Sequence, residues 1–152
     1  MQYIDSAKSS EEPDGCIFCQ KPQGADDEDA YILARADNAF AILNAYPYNP
    51  GHLMIAPFRH VGDLVELLAK EAADAHALIQ RSLVALRKAS NPDGFNVGLN
   101  LGRVAGAGIP GHVHWHVVPR WNGDTNYMTV VGETRVLPEL LGETYAKLHP
   151  LF

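Results

Sequence analysis

The chain lacks the long apolar run that a membrane protein needs. Its 152 residues are 47% hydrophobic and its mean hydropathy is −0.12, but no stretch reaches the about 18 uninterrupted apolar residues of a membrane-spanning helix. No charged start followed by an apolar signal segment occurs either. We therefore expect a soluble protein, and its length fits one compact domain.

Positive charge and cysteine are also scarce. Twelve Lys and Arg against eighteen Asp and Glu give a net charge of −6, so no general basic surface is available to bind nucleic acid. A nucleotide would have to bind in a local pocket. The two cysteines, Cys16 and Cys19, lie three positions apart, which suits a reducing cytoplasm and a pair of metal ligands.

Polarity and periodicity divide the chain into a leader and one domain. Residues 1–15 are polar and acidic, which predicts a flexible leader ahead of a single domain over residues 16–152. Short apolar runs predict strands. Apolar residues that recur every three or four positions predict a short and a long helix over residues 64–86 and a final helix after Pro138. The predicted strands cover residues 31–34, 40–43, 52–56, 95–101 and 113–118. The order of strands, helix, strands and helix favours an α+β fold with an antiparallel sheet.

Three of the seven histidines alternate along one predicted strand. His112, His114 and His116 would share one face of that strand, because side chains alternate between its two faces. On a straight strand the outer two lie about 13 Å apart, so one zinc ion cannot bind all three. A row of imidazoles does suit an extended anion such as a phosphoric anhydride, with one imidazole as the nucleophile.

This pattern resembles the histidine triad (HIT) superfamily. Residues 112–118 match its motif His-φ-His-φ-His-φ-φ, in which φ is apolar. Residues 43–52, 94–100 and 118–124 resemble the bacterial diadenosine tetraphosphate phosphorylase-like branch, and the resemblance covers about residues 16–148. It implies a five-stranded antiparallel sheet with one long and one or two shorter helices, extended across a homodimer.

The resemblance also implies a covalent mechanism. His114 would attack the α-phosphorus of an adenine nucleotide to form a nucleotidyl-histidine, which water or inorganic phosphate then resolves. His116 would contact the phosphate and the leaving group. Asn100 would reach phosphate oxygens, together with backbone amides of the glycine-rich loop over residues 102–111, which includes Gly108. Many hydrolytic members carry Gln or Ser at the position of Gly108, so its glycine is more compatible with the phosphorylase-like branch.

Further residues would bind the nucleoside. The resemblance puts Asn44 at the ribose and His52 beside the triad as a support, although asparagine in a turn can simply stabilise the backbone and His52 can be purely structural. Phe18, Phe40 and Leu43 match positions that line the base pocket, but each can equally be a core residue.

A zinc site is implied by the same resemblance. Some members complete a Cys-x-x-Cys pair with a later histidine and the first triad histidine, which here gives Cys16, Cys19, His60 and His112 as ligands of a structural Zn²⁺. The alternatives are two buried thiols or a redox pair, although the thioredoxin-like setting of a redox pair is lacking.

The expected function is phosphorolysis of diadenosine tetraphosphate to ATP and ADP. The alternatives are a dinucleoside polyphosphate hydrolase, a hydrolase of nucleoside phosphoramidates (AMP linked to an amine), and a nucleotide-binding zinc protein with vestigial chemistry. We expect neither a nucleic acid nor a membrane as partner. His116, backbone amides and Arg59 or Arg120 would neutralise the polyphosphate.

Overall fold

A five-stranded antiparallel sheet forms the centre of the protein. The computed structural model describes residues 15–124 and 139–152, and its sheet order is β1-β2-β3-β5-β4. The strands are β1 (Ile32–Arg35), β2 (Ala39–Leu43), β3 (Leu53–Pro57), β4 (Gly94–Leu99) and β5 (Trp115–Arg120). All neighbouring strands pair antiparallel, which confirms the predicted α+β fold.

Among the described residues, one long helix and three shorter ones accompany the sheet. The α-helices are α1 (Ile17–Gln20), α2 (Asp27–Ala30), α3 (Ala69–Ser90) and α4 (Leu141–Leu148). The 3-10 turns are Lys21–Gln23, Leu64–Glu66, Arg103–Ala105 and His149–Leu151. α3 ends before Pro92, where Asn91 adopts a left-handed conformation with φ of 45°. Among the described residues, no helix is long and apolar enough to cross a membrane.

Pro22, Gly24 and an acidic run predict a surface loop over residues 20–29, but the region between Cys16 and the first strand is partly helical. It contains α1 and α2, and the carboxylate of Asp26 accepts a hydrogen bond from the backbone N–H of Glu28 at the start of α2. Helices of four residues are too short to show an apolar periodicity, so they cannot be predicted from the sequence. The predicted leader lies outside the described residues except for Gly15, and so does Pro138.

The sheet separates two apolar clusters. Successive residues of β2 and β3 alternate between them, as the strand period requires. Leu43 belongs to the cluster that packs on α3 and α4, together with Leu78. Phe40 and Met54 belong to the cluster on the opposite face, together with Phe18. The predicted base-pocket residues therefore do not share a face, since Leu43 lies apart from the two phenylalanines.

The last strand begins later than predicted. β5 starts at Trp115, not at Val113, because the backbone N–H of Val113 donates to the carbonyl of Val61 at 2.7 Å. His116 consequently lies in the strand, while His112 and His114 lie just before it. The straight strand assumed for the three histidines is therefore wrong.

The turn between β2 and β3 has a strict requirement for glycine at its end. Gly51 adopts φ of +80°, and a Cβ there would lie 2.8 Å from Cδ2 of Leu86 in α3. We predict that Gly51→Ala lowers the free energy of unfolding by about 1–3 kcal/mol, through backbone strain and this collision. Denaturant unfolding monitored by circular dichroism would measure the loss.

Gly142→Ala is the matched control for that substitution. A Cβ at Gly142 in α4 meets nothing within 4 Å, and alanine is favoured over glycine in a helix by up to about 1 kcal/mol. The control should be neutral or stabilising. Equal stability of the two variants would contradict the proposed strain at Gly51.

Candidate active site

The middle histidine is held in the form that a nucleophile needs. His114 is buried, and its Nδ1 lies 2.8 Å from the carbonyl oxygen of His112. A carbonyl only accepts, so Nδ1 carries the proton and the lone pair of the neutral ring lies on Nε2. Burial lowers the pKa of His114 to about 4, so the imidazole is neutral near pH 7.

The last histidine of the triad is held in the complementary form. The backbone N–H of Tyr48 donates to Nδ1 of His52 at 3.1 Å, so the proton of the neutral His52 ring lies on Nε2. That atom donates to Nδ1 of His116 at 2.9 Å, which leaves the proton of His116 on Nε2. Burial lowers the pKa of His52 to about 3 and also lowers that of His116.

These two hydrogen-bond chains place different chemistry on adjacent rings. The centroids of His114 and His116 lie 5.0 Å apart, one with an Nε2 lone pair and the other with an Nε2–H donor. A phosphate between them can be attacked by the first and can receive a hydrogen bond from the second. The contact of His52 with His116 agrees with its predicted position beside the triad.

The first triad histidine belongs to a different cluster. The ligand atoms of Cys16, Cys19, His60 and His112 all lie within 4.8 Å of one another. Nε2 of His112 donates to the carbonyl of Pro57 at 2.8 Å, so its Nδ1 presents a lone pair towards the two sulfurs.

The distances in this cluster suit a tetrahedral metal ion. Nδ1 of His112 lies 3.4 Å from Sγ of Cys16 and 3.5 Å from Sγ of Cys19, and Nδ1 of His60 lies 3.3 Å from Sγ of Cys19. A tetrahedral ion with bonds of about 2.3 Å to sulfur and about 2.0–2.1 Å to nitrogen would separate these atoms by about 3.6 Å. The four residues therefore form a cluster that could hold a metal ion, with the Pro57 carbonyl orienting one ligand.

Two of the three predicted base-pocket residues lie beside His114. The ring of Phe18, between the two cysteines, lies 4.7 Å from that of His114 and 6.5 Å from that of Phe40. Phe58 stacks on Phe40 at 5.2 Å. Leu43 is not part of this group, because it packs under α3 on the other face.

The two predicted asparagines make contacts that support the backbone. Oδ1 of Asn44 accepts from the backbone N–H of Tyr46 at 2.9 Å, and Nδ2 of Asn100 donates to the carbonyl of Gly106 at 3.3 Å. Asn100 is thereby joined to the glycine-rich loop, in which Gly108 is half-buried. The proposed ribose and phosphate contacts of these residues stay predictions.

The two arginines expected near the polyphosphate are already paired. Nη2 of Arg59 lies 2.7 Å from the buried carboxylate of Glu71, and Nη2 of Arg120 donates to Asp124 at 2.7 Å. Their positive charges are balanced within the fold, so these contacts do not support the prediction that either arginine neutralises substrate.

Tyr48 is the residue at this site that the sequence interpretation missed. Its ring stacks on His52, with centroids 4.8 Å apart and planes inclined by 26°. The two prolines and the glycine of residues 46–51 predict a rigid turn there, with no role for Tyr48. An aromatic residue four positions before His52 was the available signal.

Comparison with known proteins agrees with this geometry. The family model described as the HIT domain matches residues 26–123. The chain belongs to the HIT family. It is accordingly a nucleotide-processing enzyme, as its triad predicts.

Individual relatives extend the match. An AP-4-A phosphorylase from Mycobacterium tuberculosis is 42% identical over 95% of this chain and 76% of the relative. An adenosine 5'-monophosphoramidase from Schizosaccharomyces pombe is 33% identical over 70% of this chain and 75% of the relative. The crystal structure of a zinc-bound histidine triad family protein from Mycobacterium smegmatis superposes with a TM-score of 0.72 at 28% identity, covering 92% of this chain and 94% of the other.

The low pKa of His52 predicts a dependence of stability on pH. The folded state disfavours the charged imidazole, so the unfolded chain binds the proton more strongly and stability is lost as the pH falls below about 6.5. We expect His52 to account for about 2 kcal/mol of the loss in unfolding free energy between pH 7 and pH 5. Urea denaturation at several pH values would measure it.

His52→Gln is the comparison for this measurement, because glutamine keeps a donor for His116 and does not titrate. The wild type should lose stability more steeply than the variant on acidification. If the unfolding free energies of the two proteins fell in parallel with pH, His52 would not contribute to the pH dependence.

Proposed function

We propose that the protein cleaves adenine dinucleoside polyphosphates by nucleotidyl transfer to inorganic phosphate, with diadenosine tetraphosphate giving ATP and ADP. The observation that carries the proposal is the hydrogen bond from Nδ1 of His114 to the carbonyl of His112, which directs an Nε2 lone pair to the site beside the Nε2–H of His116. The similarity to the Mycobacterium tuberculosis AP-4-A phosphorylase supports this substrate and acceptor.

The reaction proceeds in two displacements. Nε2 of His114 attacks the α-phosphorus, the bond from phosphorus to the bridging oxygen breaks, and ATP leaves with that oxygen hydrogen-bonded to His116. An oxygen of inorganic phosphate then attacks the same phosphorus and breaks its bond to Nε2, which releases ADP and restores neutral His114. Positioning and directed hydrogen bonds supply the catalysis, as in other phosphoryl-group reactions.

The transferred nucleotide binds between the phenylalanines and the glycine-rich loop. We assign the adenine to the pocket of Phe18 and Phe40, the ribose to Asn44, and the phosphate oxygens to Asn100 and loop amides near Gly108. Gly108 has no side chain that could position a water molecule, and this favours phosphate over water as the acceptor.

Hydrolysis of an AMP-amine bond is the second candidate. The similarity to the Schizosaccharomyces pombe monophosphoramidase favours it. The same Nε2 of His114 would attack the phosphorus, an amine would leave in place of ATP, and water would release AMP.

Dependence on phosphate distinguishes these reactions. Diadenosine tetraphosphate is incubated with the protein, with and without inorganic phosphate, and the products are separated by chromatography. We expect ATP and ADP only when phosphate is present. His114→Ala should lower the rate by at least about 1,000-fold, because the nucleophile is lost, whereas replacement of the exposed His76 of α3 by Ala should leave the rate unchanged.

Other outcomes contradict the proposal in different ways. ATP and AMP formed without phosphate indicate a hydrolase, and cleavage only of adenosine 5'-phosphoramidate indicates the second candidate. Nucleotide binding without any turnover indicates vestigial chemistry. Full activity of His114→Ala would exclude the covalent intermediate.

We also propose that the ion held by Cys16, Cys19, His60 and His112 is a structural Zn²⁺. Bound zinc would supply a rigid junction between segments that are distant in the sequence. Its ligands adjoin the site, because Phe18 lies between the two cysteines and the carbonyl of His112 orients His114. Reduced thiols of this kind fit the expected cytoplasmic location.

Metal analysis tests the zinc proposal. Purified protein should contain about one zinc per chain, and Cys16→Ser should lower both the zinc content and the melting temperature, because thiolate ligands contribute binding energy to the fold. Ile17→Ser is the control, since Ile17 is an exposed neighbour outside the cluster. Folded wild-type protein without zinc would refute the assignment.

The edge of the sheet at β4 has the features of a strand that pairs with a second copy in a homodimer. β4 is the terminal strand among the described residues, with the uncharged sequence Gly94–Leu99 and a half-exposed Val97. Edge strands that stay unpaired usually carry charges, proline or bulges, and β1 at the other edge has both Arg35 and an irregular register. We infer that β4 pairs with its counterpart in a second copy, as the family resemblance predicts.

A further inference from the structure

An exposed aromatic ring lies at the edge of the candidate active site. Tyr48 is 64% exposed, although its ring stacks on His52, which is only 1% exposed. Its centroid also lies 6.3 Å from that of His116. The ring therefore covers one buried histidine and presents much of its remaining surface to solvent beside another.

The turn that carries Tyr48 is held firmly in place. The backbone N–H of Tyr48 donates to His52, and Nδ2 of Asn49 donates to the carbonyl of Pro119 and to Asp124, both at 2.9 Å. Gly51 is packed against Leu86 with no room for a side chain. A ring fixed in this way can bind a flat ligand at little cost in conformational entropy.

Tyr48 and Phe18 adjoin opposite members of the catalytic pair. The ring centroid of Phe18 lies 4.7 Å from that of His114, whereas the centroid of Tyr48 lies 6.3 Å from that of His116. With the transferred adenosine against Phe18 and its α-phosphate at His114, the leaving phosphates pass His116. A dinucleotide carries a second adenine at the end of those phosphates, in the direction of Tyr48.

We propose that Tyr48 forms a second nucleobase subsite, on which the adenine of the leaving nucleotide stacks. The proposal rests on the proposed function, because it assumes that the α-phosphate lies at His114. Stacking of a base on an aromatic side chain contributes about 1–3 kcal/mol, which corresponds to about 5- to 150-fold in binding. The subsite would make the enzyme prefer dinucleoside polyphosphates to mononucleotides with the same phosphate chain.

Two substrates isolate this contribution. Diadenosine tetraphosphate and adenosine 5'-tetraphosphate share the adenosine that is transferred and a chain of four phosphates, but only the first has a second base. With excess inorganic phosphate both yield ADP, as the bond after the α-phosphorus breaks and ATP or tripolyphosphate leaves. KM and kcat are measured for the wild type, Tyr48→Leu and Tyr48→Phe.

Tyr48→Leu should raise KM for the dinucleotide by about 10- to 100-fold and change KM for the mononucleotide much less. Tyr48→Phe should resemble the wild type with both substrates, because it keeps the aromatic face. An equal loss with both substrates would overturn the subsite and show that Tyr48 acts only by supporting His52. Unchanged kinetics with both would also overturn it.

Binding measurements separate this inference from the proposed reaction. His114→Ala cannot form the covalent intermediate, so the affinities of the two nucleotides for it are measured by calorimetry, with and without Tyr48→Leu. If the wild type cleaves neither nucleotide but Tyr48→Leu selectively weakens dinucleotide binding, the subsite stands and the proposed function fails. If the two affinities fall equally or stay unchanged, the subsite fails whether or not the wild type is active.

Discussion

The hydrogen bond from His114 to the carbonyl of His112 is the interaction on which the rest of the site depends. It fixes the tautomer of the central imidazole and directs its lone pair outwards. The bond requires that the backbone at His112 stays in place. That backbone is held by the His112 ring, which donates to Pro57, and by the adjacent Val113, which donates to Val61.

Three residues of the same type acquire three roles from their surroundings. The His112 ring turns to the cysteines because its Nε2 donates to the carbonyl of Pro57 at the end of β3. The His114 ring has a carbonyl at Nδ1, whereas the His116 ring has the Nε2–H of His52 there. Burial lowers the pKa of His114, His116 and His52, so all three can stay neutral while these tautomers are maintained.

The sequence was sufficient for features that depend on local pattern. The hairpin of β1 and β2, the long α3 and the antiparallel class follow from periodicity and turn residues, and the four-residue metal cluster follows from the family resemblance. The late start of β5 was not predictable, because it depends on a contact of Val113 with Val61, which is distant in the sequence. The face of Leu43 was missed for a related reason: a position that aligns with a pocket does not specify the side of the sheet.

The arginines show how a chain of net charge −6 can be organised around an anionic substrate. Sequence counts treat Arg59 and Arg120 as available cations, but each is bound by a carboxylate in the fold. Glu71 also accepts from the backbone N–H of Leu68 at the start of α3, so its pair with Arg59 fastens the segment that contains His60 to that helix. Charge in these pairs therefore serves to position the site. Under the proposed function, recognition of the nucleotide then depends on directed N–H donors and aromatic faces, which select by shape as well as by the phosphates.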